Sequence, residues 1–511
     1  MRGALLVCGT HSDAGKSVVV AGICRWLHRC GVQVAPFKAQ NMALNSVVTR
    51  DGNEIGRSQA VQAAAAGIEA EVAMNPVLIK PSGERHSQVV VMGRPYADAD
   101  ARSFQTLKHE LRPIVEAALA DLRARYGVVI CEGAGSPAET NLRAGDLTNM
   151  GLARSADLPV IVVGDIDRGG VLASLFGTLA LLGHDDQAHV AGFVINKFRG
   201  DNKILAPALT QLERWTGRPT LGVLPFVQDL WMDVEDSLSL EADRPEVPTT
   251  ADTIDVAVVR FSWMSNFTDI DALTSEPGVR ARFTRSVADV ERADLVVLPG
   301  TKATVEDLQR LRETGLDRAI VHRASAGWPV LGICGGYQML GERIIDRVES
   351  RRGEVAGLGL LPVVTTFAPD KVLRRSSGYC GWLKTEASGY EIRHGRVVRH
   401  GGEPLLRVHD GGEEGCRRGT VVGTSWHGIL EADEMRRALL GWVAGLHGRT
   451  VALSTTSFAA VREARLDALG DLVADHLDTA RVSALIENGV PRGLPTLRSE
   501  ASSALRRSPS R

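Results

Sequence analysis

Apolar residues recur along this chain in two alternating rhythms. Short continuous apolar runs at 4–8, 32–37, 128–131, 160–163, 190–195 and 221–224 alternate with helical patterns, the clearest at 16–29, 103–125 and 171–182. This alternation predicts a parallel α/β sheet wound with helices on both faces. The stretch 241–252, polar and carrying two prolines, interrupts the rhythm and reads as a linker. A second α/β series opens at 254–259, 295–298 and 330–333. It passes through β segments around 358–367 and 420–425 and then turns helical. Leu466, Leu469, Leu472, Val473 and Leu477 sit at helical spacing within 457–486, enough for one or two helices. From Pro491 the chain is rich in Ser and Arg, so a solvated tail is expected. The expected fold is therefore α/β, with two doubly wound domains. A first domain covers 1–240, a linker 241–252, a second domain 253–447, a C-terminal helical extension 448–490 and a disordered tail 491–511.

Composition narrows the class. At 511 residues the chain exceeds the usual ~100–200 per domain. With 44% hydrophobic and 23% charged residues it can bury substantial cores, which excludes wholesale disorder. A net charge of -2 lacks the basic footprint of a nucleic-acid binder, so an anionic ligand must be held locally. Seven scattered cysteines without a Cys-x-x-Cys pair argue against a disulfide framework or a zinc site, and fit a reducing cytoplasm. No apolar run approaches the ~18 residues that span a bilayer, so no membrane partner is expected. A homo-oligomer is left open. Nine lysines stand against fifty arginines, a skew that a GC-rich genome explains. Arginine clusters therefore carry little weight, whereas each retained lysine marks a place where a compact ammonium is required. Lys16, Lys38, Lys80, Lys197 and Lys302 all fall inside the motifs that follow.

Directly after the first apolar run comes Gly9-Thr10-His11-Ser12-Asp13-Ala14-Gly15-Lys16-Ser17, then an apolar helix. Strand, glycine loop, Lys-Ser and helix form the context of a P-loop. The backbone N–H groups of Thr10 and of Ser12, Asp13, Ala14 and Gly15 would wrap the phosphates of ATP. Lys16 would reach the β/γ oxygens, and the Ser17 hydroxyl would ligate Mg²⁺. The usual first glycine is replaced by Thr10, with Gly9 one place earlier. Glu132, ending the run at 128–131, is the candidate second metal ligand, and Glu54 a further one with a solvated surface acid as its alternative. Lys38, Gln40 and Asn41 follow the second run where a cleft should open, a set suited to a carboxylate and a γ-phosphate. Asp165, in Gly164-Asp165-Ile166-Asp167-Arg168-Gly169-Gly170, lies likewise at a strand end. Asn196 would read a nucleobase edge. The acid that guanine readers carry three residues on is missing, which favours ATP over GTP.

In Gly332-Ile333-Cys334-Gly335-Gly336 a strand runs into Gly-x-Cys-x-Gly and then a helix, the geometry of a nucleophile elbow with Cys in place of Ser. Gly335 N–H would donate to an oxyanion, and a second donor would come from Gly300 in Pro299-Gly300-Thr301-Lys302. Of the 13 histidines, His427 sits best as base, at the end of a late strand of the same domain.

Together these motifs resemble the cobyric acid synthase family, glutamine-dependent amidotransferases of corrin biosynthesis. The resemblance rests on FKAQNMALNS at 37–46, CEGAGSPAETNL at 131–142, GDIDRGGVLAS at 164–174, VINKFRGD at 194–201, SNFTDIDAL at 265–273, LPGTKAT at 298–304 and GICGGYQMLG at 332–341. That family is similar to dethiobiotin synthetase in its first domain and to class I glutamine amidotransferases in its second. The resemblance implies a corrinoid substrate, adenosylcobyrinic acid a,c-diamide, amidated in turn at its b, d, e and g carboxylates with L-glutamine as nitrogen donor. Most class I members place a Glu two residues after the histidine. Here Ile429 stands there, and Glu431 is too far along to be assumed a substitute, so what orients His427 is left open. The alternatives are the sibling a,c-diamide synthase or another two-domain carboxylate amidotransferase and, from a different class, a P-loop switch ATPase with a non-catalytic second domain.

Overall fold

A computed structural model describes residues 1–83, 86–227 and 252–497. The first domain is built on six parallel strands: β1 (Gly3–Gly9), β2 (Val34–Phe37), β3 (Val128–Glu132), β4 (Val160–Asp165), β5 (Val190–Phe198) and β6 (Thr220–Pro225), in the order β6-β5-β4-β1-β3-β2. Alternate residues of these strands enter opposite cores. Leu6, Cys8 and Val129 face one layer, and Leu5, Val7 and Ile130 the other, which is why the runs are apolar throughout. The sheet's carboxyl edge collects the loop after β1, Glu132 at the end of β3 and Asp165 at the end of β4, the place where open α/β sheets bind ligands.

Between β2 and the helix Ala101–Arg125 the chain makes an excursion whose short strands the apolar pattern does not announce. Gln40–Met42, Val77–Pro81, Ser87–Val91 and Arg94–Ala99 form one small sheet, Ser46–Val48 and Glu54–Gly56 another, and helix α2 (Arg57–Ala65) follows. The second domain carries β7 (Ile254–Val259), β8 (Val279–Thr284), β9 (Leu295–Leu298), β10 (Val330–Ile333), β11 (Cys416–Arg418) and β12 (Val421–Thr424). Their order is β8-β7-β9-β10-β12-β11, parallel except for β11. A long antiparallel hairpin, Val363–Cys380 with Thr385–Arg399, reaches back to the excursion of the first domain. There Arg375 Nε donates to Val48 O at 2.8 Å, and Tyr390 and Ile392 join the apolar cluster of Val47, Val48 and Ile55.

The segment 457–486 forms two helices, α4 (Phe458–His476) and α5 (Thr479–Asn488), and they pack on the first domain. Leu466, Leu469, Val473, Val482 and Ile486 complete the core beneath helix α1 (Lys16–Arg29) and β1. Arg25 and Arg29 bind Asp467 and Asp471 at 2.9 and 2.6 Å along the α1–α4 seam. The tail expected from Pro491 is corrected as far as Leu497. Leu497 N–H donates to Gln187 Oε1 at 2.7 Å and Leu497 O accepts from Gln187 Nε2 at 3.2 Å, so backbone groups anchor this stretch to the first domain. The linker, save Asp252, and the tail beyond Leu497 lie outside the described residues.

Candidate functional site

The residues singled out from the sequence gather at two places. In the first, the chain leaves β1 through a single 3-10 turn, Ser12–Ala14, and Gly15 takes φ 98° before α1 begins. A Cβ on Gly15 would stand 1.9 Å from Asn196 Nδ2, so only glycine lets the loop pass this close. Asn196 is thereby a loop support, its Nδ2 donating to Ala14 O at 3.0 Å. Thr10 N–H continues the sheet to Val163 O at 2.9 Å, while its buried Oγ1 has no protein partner among the described residues. Lys16 Nζ lies over the loop, donating to His11 O and Ser12 O at 2.9 Å each.

Glu132 is the hub of this cleft. Fully buried, its Oε1 accepts from Ser17 Oγ at 2.8 Å and from Lys38 Nζ at 2.9 Å, and its Oε2 from Gln62 Nε2. Gln62, on α2, was not singled out by sequence reasoning, since nothing in an Ala/Gln-rich helix distinguishes it. Asp165 pairs with Lys197 at 2.7 Å, and Lys197 also donates to Asp13 O at 3.0 Å, tying the β4 and β5 ends to the P-loop. Gln40 keeps a buried Oε1 without a partner among the described residues. Asn41 is turned inward to Gln59 Oε1 at 3.0 Å, so its amide supports α2 and does not face the cleft.

Glu54 does not join Ser17 and Glu132, and the expectation that it ligates a metal there is corrected. Its oxygens are held by Lys80 Nζ at 2.6 Å and Lys371 Nζ at 2.5 Å, with Ser46 Oγ donating at 2.7 Å. Burial alone would raise this carboxyl, but Lys371 and Lys80 hold it well below the usual range. Burial pushes Lys371 down to about 8 against the pull of Glu54. Lys371 comes from the long hairpin, so this cluster is a charged seam between the domains.

In the second cleft Cys334 adopts φ 49° and ψ -105° between β10 and helix α3 (Gly335–Leu340), a strained elbow for a residue bearing a Cβ. A Cβ on Gly336 would stand 2.0 Å from Leu298 O, so glycine is what lets α3 start against β9. Gly335 lies against Thr301, and Gly300 lies against the His427 imidazole, where an added Cβ would meet Cε1 at 2.6 Å. Gly335 thus follows the thiol in the chain, and Gly300 lies beside the imidazole.

The residue that orients His427 is Asp269, on the turn Phe267–Ile270 after β7. Its Oδ2 lies 2.7 Å from His427 Nδ1, and its Oδ1 accepts from Gly428 N–H at 2.7 Å. Asp269 is 1% exposed. Burial would lower the imidazole, yet the Asp269 carboxylate and the Cys334 sulfur lift it to about 10. Nδ1 therefore faces Asp269 with its proton, and Nε2 is turned to the thiol side. No spacing rule links Asp269 to a histidine 158 residues away. The only sequence signal was its place within SNFTDIDAL. Glu431 is not a substitute: Arg57 and Arg462 hold it at 2.8 Å, across the domain seam.

The description "CobQ/CobB/MinD/ParA nucleotide binding domain" belongs to a family model that matches residues 5–240, and "CobB/CobQ-like glutamine amidotransferase domain" to one that matches 255–435. Over nearly its whole length the chain is similar to curated proteins called cobyric acid synthase. It is 58% identical over 504 residues to that of Rhodococcus jostii, covering 98% of each chain. With that of Frankia casuarinae it shares 57% over 524 residues, 97% of this chain and 99% of the other, and with that of Nocardia farcinica 56% over 518 residues, again 97% and 99%.

Proposed function

This chain belongs to the cobyric acid synthase family, and on that premise we propose that it amidates the b, d, e and g carboxylates of adenosylcobyrinic acid a,c-diamide in cobalamin biosynthesis. It is an ATP-dependent glutamine amidotransferase. The observation that carries the reading is the coexistence of the Lys16–Ser17–Glu132 cleft with the Cys334–His427–Asp269 constellation in one chain.

A carboxylate is inert to ammonia until one of its oxygens becomes a leaving group, and transfer of the ATP γ-phosphoryl to it makes an acyl phosphate. Lys16 and Lys38 offset the charge that builds on the transferring phosphoryl. The Ser17 hydroxyl and the Glu132 carboxylate are hard oxygen donors that suit Mg²⁺ and would hold it. Among the described residues no group of three or more His, Cys, Asp or Glu is placed to hold a metal. At Ser17 and Glu132 the ion would offset phosphate charge.

In the second domain the thiolate of Cys334 attacks the side-chain carboxamide carbon of glutamine, with Gly300 and Gly335 N–H supporting the oxyanion. His427, kept protonated beside Asp269, gives its proton to the departing ammonia. Water, deprotonated by His427, then hydrolyses the thioester and releases glutamate. Ammonia displaces phosphate from the acyl phosphate, closing the amide. The buried seam of Ser46, Glu54, Lys80 and Lys371 lies on the side of the Cys334 pocket that faces the first domain.

The test is to mix the protein with ATP, Mg²⁺, glutamine and the a,c-diamide and to follow mass. Stepwise conversion of carboxylate to carboxamide is the expected result, and its absence with a competent enzyme would end the substrate assignment. A switch ATPase has no use for a buried Asp–His pair beside an elbow thiol.

A further inference from the structure

The pocket in front of Cys334 is lined by charges that the chemistry above does not use: Lys80, Lys302, Glu349, Lys371, Arg393 and His394. Four of them are already committed. Lys80 and Lys371 share the Glu54 carboxylate, and Arg393 pairs with Glu391, its Nε donating to Oε2 at 2.6 Å. Burial pushes His394 down, and its Nδ1 is engaged with Ala368 O at 3.0 Å. Lys302 and Glu349 pair with each other, and each retains bonding capacity, since an ammonium offers three donors and a carboxylate about four acceptor positions.

Both are mounted on fixed backbone. Lys302 N–H donates to Trp263 O at 2.9 Å, and the neighbouring Thr301 hydroxyl to the same oxygen at 3.0 Å. Glu349 stands on a loop whose Val348, Glu349 and Ser350 N–H groups all donate to the Asp346 carboxylate at 2.9, 2.8 and 2.7 Å. Lys302 is two residues beyond Gly300, which abuts the His427 ring. The wall of the thiol pocket thus presents one positive and one negative end side by side, held before any ligand arrives.

Glutamine carries an ammonium and a carboxylate on a single carbon, the complementary pattern. Resting on the reading of Cys334 as the glutaminase nucleophile, we propose that Lys302 and Glu349 form the subsite for the α-amino-acid head of glutamine. Lys302 takes the α-carboxylate and Glu349 the α-ammonium, which leaves the carboxamide end directed at the thiol. The pair is a specificity determinant: it separates glutamine from other carboxamides by charge at the far end of the molecule.

The test compares ammonia release from L-glutamine and from glutaric acid monoamide, which has the same carboxamide and carboxylate but no α-ammonium. Glu349→Gln should lower kcat/KM for L-glutamine about 10- to 100-fold, mostly through KM, and change that for the monoamide less than about threefold. Lys302→Met should lower both, because both molecules carry the carboxylate. Alkylation of Cys334 by iodoacetamide, which has no head group, should proceed at the wild-type rate in both variants. A parallel loss on both substrates in Glu349→Gln, slowed alkylation, or an unchanged KM for L-glutamine would overturn the assignment. A wild-type enzyme that releases no ammonia from glutamine and whose Cys334 resists iodoacetamide would instead refute the nucleophile reading itself, and the subsite with it.

Discussion

Replacing Asp269 by Asn keeps the shape of the turn and removes only the charge. In the structure that carboxylate accepts from the His427 ring and from Gly428 N–H, both at 2.7 Å, in a site sealed from water. A hydrogen bond to a charged group is worth about 1.5–3 kcal/mol. An amide at this place can also donate to Nδ1, which then carries no proton of its own, so the ring loses the doubly protonated form that hands a proton to ammonia. The two effects together should lower glutaminase kcat roughly 10²- to 10⁴-fold, with KM for glutamine little changed. Amidation driven by ammonium salt bypasses His427 and should stay within about twofold of wild type. The same variant has a stability signature. His427 is raised in the folded state from its usual 6.5 to about 10, so its contribution is complete below 6.5 and is lost as pH rises toward 10. Thermal melts across that interval should therefore show a decline in the wild type that the variant largely lacks. An Asp269→Asn enzyme with wild-type kcat on glutamine would refute the argument that this carboxylate orients the imidazole.

Cys334→Ala should abolish glutamine-dependent amidation while leaving the ammonia-driven reaction, and Lys16→Ala should stop both; product analysis with each nitrogen source checks the pair. Glu54→Gln leaves Lys80 and Lys371 buried without their carboxylate, which should destabilise the domain seam by about 3–5 kcal/mol in urea unfolding. Because the folded Glu54 carboxyl lies well below its usual 4.5, its contribution is present above 4.5 and fades as pH falls, so wild type and variant should converge in acid. Leu469→Ala, in the fully packed α1–α4 contact, should cost about 2–5 kcal/mol and lower the melting temperature of the ATP-binding domain although the residue lies late in the chain.

Much of the fold was legible because its signals are local. The strands at 254–259, 295–298 and 330–333 and the helix at 16–29 lie where continuous or helically spaced apolar residues put them. The strands Gln40–Met42, Ser46–Val48 and Glu54–Gly56 were not legible, since three-residue strands carry too few positions to display a period. The helical spacing of the C-terminal extension was legible, but not its partner: its apolar face is shared with β1 and α1.

The same division applies to the sites. Gly15-Lys16-Ser17 and Gly332-Ile333-Cys334-Gly335-Gly336 are contiguous, and the sterics that demand glycine beside a cradled ligand or a strained nucleophile act between neighbours, so the chain alone determined them. Asp269 on His427, Lys38 and Gln62 on Glu132, and Lys371 on Glu54 each join residues 70 to 317 positions apart. Only the packing of one layer against another decides those encounters, because buried charges settle on whichever opposite partner the closed core brings within reach.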